Sequence, residues 1–249
     1  MLQPGSRVLI TGASSGIGAA TAALLAERGM RQALHGRDRP RLRALAAELH
    51  CACYPADLRE AEQVDRLGTQ VLADGPVDAF IGNAGIGWSG RFQEMSQQRI
   101  QQLVAVNLTA NLLLARAVLP AMISRGSGRI VFVGSIAGSM AVAGETAYAA
   151  TKSGVHVLAQ GLRAELADTG VVVSVFIPGV IDTPFFAHRG QPYDRKRPRP
   201  VPVATAANAL VRQLDSGAPE VFTPAWLRLP ARLRGALPSA VQRAQRRFG

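Results

Sequence analysis

Residues 11–18 read T-G-A-S-S-G-I-G, between an apolar run at Arg7–Thr11 and an Ala/Leu-rich stretch with helical spacing. Each glycine has its own use in such a strand-to-helix connection. Gly12 allows a tight turn, Gly16 lets the backbone approach a pyrophosphate, and Gly18 lets the helix pack closely on the strand. The N-terminus of that helix presents unpaired N–H groups to an anion. The segment therefore predicts a phosphate-binding loop rather than a plain turn, because the strand before it and the helix after it are both present.

The rest of the chain alternates short apolar runs with helical segments. The predicted strands are Arg7–Thr11, Gln32–Gly36, Cys51–Tyr54, Asp78–Gly82, Arg129–Gly134, Val171–Ile177 and Glu220–Thr223. The predicted helices include Ala19–Arg28, Arg41–His50 and Ile100–Ile123. This alternation is typical of a parallel sheet with helices on both faces. For 249 residues we expect one α/β domain over residues 1–249, a Rossmann-type doubly wound parallel sheet of about seven strands.

The spacing G-x-x-x-G-x-G differs from the more common G-x-G-x-x-G, and it resembles the T-G-x-x-x-G-x-G signature of the short-chain dehydrogenase/reductase family. Further marks of that family follow in order between about Arg7 and Thr223: Asp57 in A-D-L, N-A-G at 83–85, Asn107, Ser135, Y-x-x-x-K at 148–152 and P-G at 178–179. The resemblance implies a nicotinamide-dependent oxidoreductase that interconverts a carbonyl and an alcohol. It also implies a homodimer or homotetramer, paired through the helices that contain Asn107 and Tyr148.

Lys152 is one of two lysines in the chain, and it follows Tyr148 by four residues. On a helix these positions share a face, so the ammonium can stand near the phenol. A free tyrosine has a pKa near ~10, and a neighbouring positive charge lowers it toward the working pH of a general acid/base. Ser135 ends an apolar strand at the sheet edge where ligands bind, so its hydroxyl can hold a substrate carbonyl. These three residues predict proton transfer from a tuned tyrosine, and no metal ligands are required.

Asn107 completes the predicted catalytic group. It places a polar amide in an apolar helical run, which requires a reason. The resemblance assigns it to a water that links Lys152 to solvent, and assigns Lys152 a second contact with the ribose of the cofactor. Each residue also has a structural explanation when taken alone: Ser135 as a strand-end cap, Asn107 as a buried amide that satisfies the backbone, and Tyr148 as a core aromatic. The chemical interpretation rests on their joint occurrence behind a phosphate loop.

Arg37 favours NADP(H) over NAD(H). An acid at the end of the second strand would accept from the ribose 2′-hydroxyl of NAD, but Gly36 occupies that place. The Arg37 guanidinium that follows can bind a 2′-phosphate through paired N–H bonds. Asp38 complicates this interpretation, and a plain surface arginine is the alternative.

The resemblance assigns further cofactor contacts. It places Asp57 and Leu58 at the adenine, and Asn83, Ala84 and Gly85 at its ribose. It places Pro178, Gly179, Val180 and Thr183 at the nicotinamide carboxamide. Within the phosphate loop the assignment also covers Ser14, Ser15 and Ile17. The family usually carries a second Asn before N-A-G, and Gly82 stands there instead.

The segment 184–202 is expected to be a loop or lid over the substrate, since its prolines prevent a continuous helix. Its Phe185, Phe186 and Tyr193, together with Trp88, offer apolar surface for an apolar carbonyl or alcohol. Its basic cluster between Arg195 and Arg199 suits an acidic head group or acidic carrier protein, or is simply solvated. The alternative enzyme is accordingly a 3-oxoacyl-carrier reductase of fatty-acid or polyketide type. An alternative of another class is a cofactor-binding sensor or scaffold with little turnover.

Charge is unevenly distributed: nine of the eleven net positive charges fall between Arg189 and the end. The extension at about 225–249 is basic and amphipathic, interrupted by Pro230 and Pro238, and predicts weak contact with an anionic membrane or a partner chain. Nucleic acid is not favoured, because aromatics are 5% and no nucleic-acid motif is present. No charged segment followed by a long apolar run opens the sequence, so we expect a cytoplasmic protein, with peripheral membrane contact as a second expectation.

Three minor features receive structural interpretations. The apolar run Leu103–Ile123 is expected to be a buried or subunit-facing helix, because its two asparagines are costly in lipid. Cys51 and Cys53 are expected to be buried, reduced thiols on one face of a strand. His35, His50 and His156 are expected to serve packing, while the role of His188 in the 184–202 segment stays open.

Overall fold

The computed structural model describes residues 2–191, 193–194 and 198–236. Seven parallel strands form one sheet in the order β3-β2-β1-β4-β5-β6-β7, which confirms the predicted Rossmann-type architecture. The strands are β1 Arg7–Ile10, β2 Arg31–Gly36, β3 Ala52–Pro55, β4 Ala79–Gly82, β5 Gly128–Val133, β6 Val171–Pro178 and β7 Glu220–Thr223. The chain order reverses between β1 and β4, so the carboxyl ends of these two strands border the crevice in which such sheets bind ligands.

Helices cover both faces of the sheet. They are α1 Gly16–Glu27, α2 Arg39–Glu48, α3 Ala61–Ala73, α4 Gln97–Val104, α5 Ala110–Ser124, α6 Ile136–Met140, α7 Thr146–Glu165, α8 Phe185–His188, α9 Val203–Ser216 and α10 Arg228–Ala236. Helix α1 begins three residues before the predicted Ala19, so Ile17 and Gly18 already belong to its first turn. One turn of π-helix, Ala105–Thr109, joins α4 to α5.

The core has two layers, because successive residues of a strand point to opposite faces of the sheet. Leu9, Phe80 and Phe132 face one layer, which packs against α3, α5 and α7. Ile10 and Phe176 face the other layer, which packs against α1, α2 and α9. Strands buried on both faces are expected of a parallel sheet, and this explains their nearly continuous apolar sequences.

The helical run Gln97–Ser124 is the one run in the described part of the chain long and apolar enough to cross a membrane by length and composition alone. Its Asn107 and Asn111 are buried, and its apolar residues Leu114 and Val118 pack in the sheet core. Burial of this kind agrees with the expected core helix. Leu112 is 44% exposed and leaves an apolar strip on the outer side of this run.

Two expectations about irregular segments need correction. The predicted loop at 184–202 begins with the short helix α8, and Ile181 and Val201 form an isolated parallel bridge at its ends. The tail is helical through Pro230, because a proline in the first turn of α10 removes no intrahelical hydrogen bond. The basic residues 195–197 and the tail from Leu237 onward, with Pro238, lie outside the described residues.

Candidate active site

A cavity of about 650 Å³ opens at the carboxyl edge of the sheet. Most of the predicted residues line it, contributed by the ends of β1, β2, β3, β4, β5 and β6 and by α7: Gly12, Ser14, Ser15, Gly16, Ile17, Arg37, Asp57, Leu58, Asn83, Ala84, Gly85, Ser135, Tyr148, Lys152, Pro178, Gly179 and Thr183. Phe185 and Phe186 line it from α8. Gly18, Asn107 and Val180 lie beside the cavity without lining it. The structure therefore brings together residues as far apart in the sequence as Gly12 and Phe186.

The phosphate loop packs against the N-A-G segment at distances that only glycine allows. Gly12 has a positive φ of 67°, and a Cβ there would lie 2.8 Å from the Ala84 Cα. A Cβ on Gly18 would lie 2.4 Å from the Gly12 carbonyl oxygen. The Asn83 side chain donates to the Thr11 carbonyl at 2.8 Å and fixes the two segments together. These contacts keep the backbone of the loop open toward the cavity, and such a cradle fits the pyrophosphate of a dinucleotide.

Two arginines, Arg37 and Arg99, line the cavity, and Arg59 lies beside the Asp57 that lines it. Arg37 follows β2. Arg99 extends from α4 into the cavity, and its guanidinium donates to the Gly87 carbonyl at 2.8 Å. Arg59 holds the Asp57 carboxylate, with Nε 2.9 Å from both oxygens, and this hydrogen bonding lowers the pKa of Asp57. Burial, together with the positive charges of Arg37 and Arg59, lowers the pKa of Arg99. An anion bound here would relieve the repulsion among the three guanidinium groups.

His35 is a cavity residue that the sequence did not predict. Its Nε2 lies 3.1 Å from the Ala56 carbonyl oxygen, and its Nδ1 lies 3.5 Å from the Gly12 amide nitrogen. Burial lowers the pKa of His35 to about 4, so the ring is neutral at pH 7. The contacts tie the end of β2 to the phosphate loop, which adds a site-forming role to the expected packing role.

Ser135, Tyr148 and Lys152 meet where β5 ends against α7. The Ser135 hydroxyl lowers the pKa of the Tyr148 phenol, and the Ser135 Oγ accepts the Ala137 N–H at 3.1 Å as the N-cap of α6. Ser135 is therefore a cap, as its structural explanation expects, and it also lines the cavity together with Tyr148, as its proposed chemical role requires. Tyr148 and Lys152 are 7% and 3% exposed, so a proton held here is shielded from bulk water.

The charge environment of Tyr148 differs from the expectation. Burial raises the pKa of Tyr148, while the Ser135 hydrogen bond and Arg189 lower it. The Lys152 ammonium donates to the Val133 carbonyl at 2.8 Å, and its own pKa falls to about 8 because it is buried. The expected lowering of the Tyr148 pKa by Lys152 is therefore not seen in this structure, where desolvation outweighs the neighbouring charges.

Asn107 lies in the π-helical turn and is fully engaged. Its Oδ1 accepts the Ile86 N–H at 2.8 Å, and its Nδ2 donates to the Ile86 carbonyl at 3.0 Å and the Thr151 hydroxyl at 3.0 Å. The amide thereby joins the segment after β4 to α7. A Cβ placed on Gly85 would lie 3.4 Å from the Asn107 Oδ1 and 3.3 Å from the Lys152 Nζ, so both polar groups face one point.

Asn111 explains the departure at Gly82. A Cβ on Gly82 would lie 2.2 Å from the Asn111 Oδ1, so the side chain of Asn111 occupies the space of a residue-82 side chain. Its Nδ2 donates to the Asn107 carbonyl at 2.8 Å, a group of the π-helical turn. The Asn111 amide, which α5 supplies, therefore occupies the space that a side chain at position 82 would take.

The aromatic residues near α8 divide into two groups. Phe185 packs on Tyr148 with ring centroids 5.6 Å apart, and Phe186 lies 5.5 Å from Phe185. Tyr193 contacts Phe186 at 5.4 Å and donates to the Pro198 carbonyl, but it does not line the cavity. Trp88 packs in a cluster behind the cavity wall. The structure thus places the two phenylalanines at the cavity and sets Trp88 and Tyr193 behind them.

His188 and His156 also acquire defined places. His188 lines the cavity from the end of α8. His156 lies behind Ser135, with its Nε2 3.4 Å from the Ser135 amide nitrogen, and packs as expected. Among the described residues no group of histidine, cysteine and carboxylate side chains could hold a metal ion.

A family model for short chain dehydrogenases matches residues 6–194 of the chain. The ketoacyl reductase HetN of Nostoc is 33% identical over 262 aligned positions, which cover 98% of this chain and 90% of that protein. A short-chain dehydrogenase from Sphingobium yanoikuyae in complex with NADPH is 32% identical, with a TM-score of 0.85 over 94% of this chain and 95% of its own. A Burkholderia phymatum structure in complex with NAD has the same TM-score and shares the fold at 24% identity, with 95% of each chain covered.

Proposed function

The chain belongs to the short-chain dehydrogenase family and is an oxidoreductase, and from this premise we propose that it interconverts a carbonyl and an alcohol on an apolar small molecule. The observation that supports the proposal is the meeting of Ser135, Tyr148 and Lys152 beside a glycine-lined cradle. A bound nicotinamide cofactor would supply or accept the hydride. The protein residues would place the substrate and move the proton.

In the direction of reduction, Ser135 holds the substrate oxygen by a hydrogen bond and Tyr148 gives its phenolic proton to that oxygen. The alcohol O–H bond forms as the tyrosine O–H bond breaks. The raised pKa of Tyr148 keeps the phenol protonated before the reaction, as a proton donor requires. Lys152 and Asn107 face the same point near Gly85, where proton return from solvent would begin.

NADP(H) is the proposed cofactor. Arg37, Arg59 and Arg99 provide positive charge at the adenosine end, and a 2′-phosphate would accept charge-assisted hydrogen bonds there. The NADPH-bound relative from Sphingobium supports this choice, whereas the NAD-bound fold neighbour shows that the fold alone does not select the cofactor.

Two other functions compete with this proposal. The 3-oxoacyl-carrier reductase gains support from the similarity to HetN, a ketoacyl reductase, and from the basic cluster at 195–199. A sensor or scaffold with little turnover would not need all of Asn107, Ser135, Tyr148 and Lys152. Turnover that depends on Tyr148 separates the sensor from both enzymes, and the preferred substrate separates the two enzymes from each other.

We further propose that the protein is a homodimer or homotetramer. Leu112 on α5 and Val157 on α7, which are 44% and 64% exposed, leave apolar side chains on the helices that the family uses for pairing. Covering them with a second copy would remove this surface from water. Sedimentation velocity of the wild-type protein, compared with Val157→Arg, tests the assembly.

We propose that the protein is cytoplasmic and that its C-terminal segment makes peripheral, reversible contact with a membrane. Trp226 and Leu229 are 58% and 66% exposed beside Arg228 and Arg232, a combination that suits an anionic bilayer surface. Equal binding to anionic vesicles by the full chain and by Trp226→Ala with Leu229→Ser would contradict it.

The deciding experiment follows NADPH oxidation against a panel of ketones, aldehydes, quinones and 3-oxoacyl thioesters, with NADH in parallel. Tyr148→Phe is the control, and we expect it to lower turnover by about 10²–10⁴-fold while NADPH still binds, because only the proton donor is removed. Turnover that survives Tyr148→Phe would contradict the proposed mechanism. Binding of NADPH with no turnover across the panel would favour the sensor.

A further inference from the structure

Glu145 and Arg189 form an ion pair beside the candidate active site. Glu145 immediately precedes α7, three residues before Tyr148, and Arg189 immediately follows α8. Their side chains are only 16% and 9% exposed. Removing two charges from water is costly, so a pair this buried requires good geometry and further hydrogen bonds.

The guanidinium of Arg189 has these further contacts. Its Nε donates to the Gln191 carbonyl at 2.9 Å, and its central carbon lies 4.8 Å from the centroid of the Phe186 ring. The position over the ring is favourable for a cation. Arg189 therefore holds both its own segment and the aromatic side chain that lines the cavity.

Backbone hydrogen bonds extend this connection to the segment after β4. The Ser89 N–H donates to the Arg189 carbonyl at 3.1 Å, and the Gly90 N–H donates to the Gly144 carbonyl at 2.9 Å. Three segments far apart in sequence thus meet at one point: residues 89–90, residues 144–145 and Arg189.

We propose that the Glu145–Arg189 pair is a positioning device, which fastens α8 to the start of α7 and makes the charges of Glu145 and Arg189 offset each other at Tyr148. Neither residue touches the reacting atoms in this role. The pair holds Phe185 and Phe186 at the cavity. Each of its two charges also offsets the effect of the other on Tyr148, the proton donor. The electrostatic half of this inference rests on the proposed function, whereas the fastening half does not.

The two charges act on Tyr148 in opposite directions. Glu145 raises the pKa of Tyr148 and Arg189 lowers it. The other ionisable groups near the phenol are Lys152 on the same helix, His156 behind Ser135, and His188 in the cavity wall. Substitutions at 145 and 189 leave all three of these residues in the chain, so the charges that they remove are those of the pair alone.

The test compares Glu145→Gln, Arg189→Met and the double variant in two measurements on the full chain. Hydrogen exchange followed by mass spectrometry reports the peptides that contain Ser89 and residues 183–191, and it needs no turnover. The pH dependence of kcat/KM for ketone reduction reports Tyr148. Arg28→Met is the control, because it breaks another ion pair, between Arg28 directly after α1 and Asp215 on α9, whose Nη1–Oδ2 distance is 2.7 Å.

We expect both single variants to exchange about tenfold faster in these peptides, since each leaves a buried charge without its partner. In the pH profile, activity is lost as Tyr148 loses its proton. Arg189→Met should move this loss to higher pH, because Glu145 is left unbalanced, and Glu145→Gln should move it to lower pH. The double variant should return near the wild-type profile, and Arg28→Met should change neither measurement.

Unchanged exchange in the single variants would overturn the fastening role, and shifts of the pH profile in one common direction would overturn the charge balance. A destabilised single variant does not confuse the result, because the double variant carries no unpaired charge. If exchange rises but the wild-type protein turns over no substrate, the fastening role is supported and the proposed function fails.

Discussion

The cofactor half and the substrate half of the cavity are built in different ways. The cofactor half is a backbone structure, in which Gly12 and Gly18 allow contacts of strand, loop and helix that any side chain would prevent. The substrate half is held by side chains, with Phe185 on Tyr148 and Arg189 paired to Glu145. Close backbone contacts restrict these positions to glycine, so they are visible as a sequence motif. Many different pairs of side chains can make an equivalent contact, so the substrate half leaves no such motif.

Gly18→Ala would disrupt the cofactor half and should lower NADPH affinity and stability more than any substitution on the substrate side. Its Cβ would lie 2.4 Å from the Gly12 carbonyl oxygen, and backbone cannot move aside cheaply. Overpacking costs about 1–3 kcal/mol, so we expect NADPH affinity to fall by up to about 100-fold and the Tm to decrease. Fluorescence titration and thermal melting measure the two effects.

Gly161→Ala is its matched control. Gly161 lies within α7, and a Cβ there would meet no heavy atom within 4 Å. Alanine in a helix is favoured over glycine by about 0.5–1 kcal/mol, so the Tm should rise slightly with NADPH affinity unchanged. Equal behaviour of the two alanine variants would refute the close-packed loop.

Arg37→Ala tests whether a side chain within the cofactor half selects NADPH over NADH. Hydrogen bonds to a charged group contribute about 1.5–3 kcal/mol, so the preference for NADPH over NADH should fall by about 10–100-fold. Arg43→Ala makes the same charge change at an exposed position of α2 outside the cavity and should leave the preference unaltered. A preference that survives Arg37→Ala would remove Arg37 from phosphate recognition.

Phe186→Ala should have the smallest effect and should be confined to the substrate half. It removes an apolar wall of the cavity, so kcat/KM for a bulky apolar ketone should fall by about tenfold while the Kd of NADPH is kept. Phe92→Ala removes an exposed phenylalanine and serves as the control. Loss of NADPH affinity in Phe186→Ala would show that the two halves are not separable.

The sequence predicted the sheet, the phosphate loop and the cavity position of Tyr148 and Lys152, because glycine requirements and helical spacing are local properties. It did not predict the Arg189–Glu145 pair, since an arginine in an irregular segment has many potential partners, and this one lies 44 residues away. Arg99 and His35 were missed for a related reason: their reach into the cavity depends on how helices and strands are placed. The close approach of Asn111 to Gly82 was missed for the same reason, because it forms only when α5 packs on the sheet.

The Asn83 bonds to the phosphate loop have a consequence for how the chain acquires its binding ability. The amide of Asn83 reaches the Thr11 carbonyl across 72 residues, and β1 must already lie beside β4 for this bond to form. Parallel strands have no hairpin to bring them together, so such pairings form slowly during folding. A refolding chain should therefore gain most of its helical signal before it can capture a dinucleotide, and ligand capture would report the completed topology.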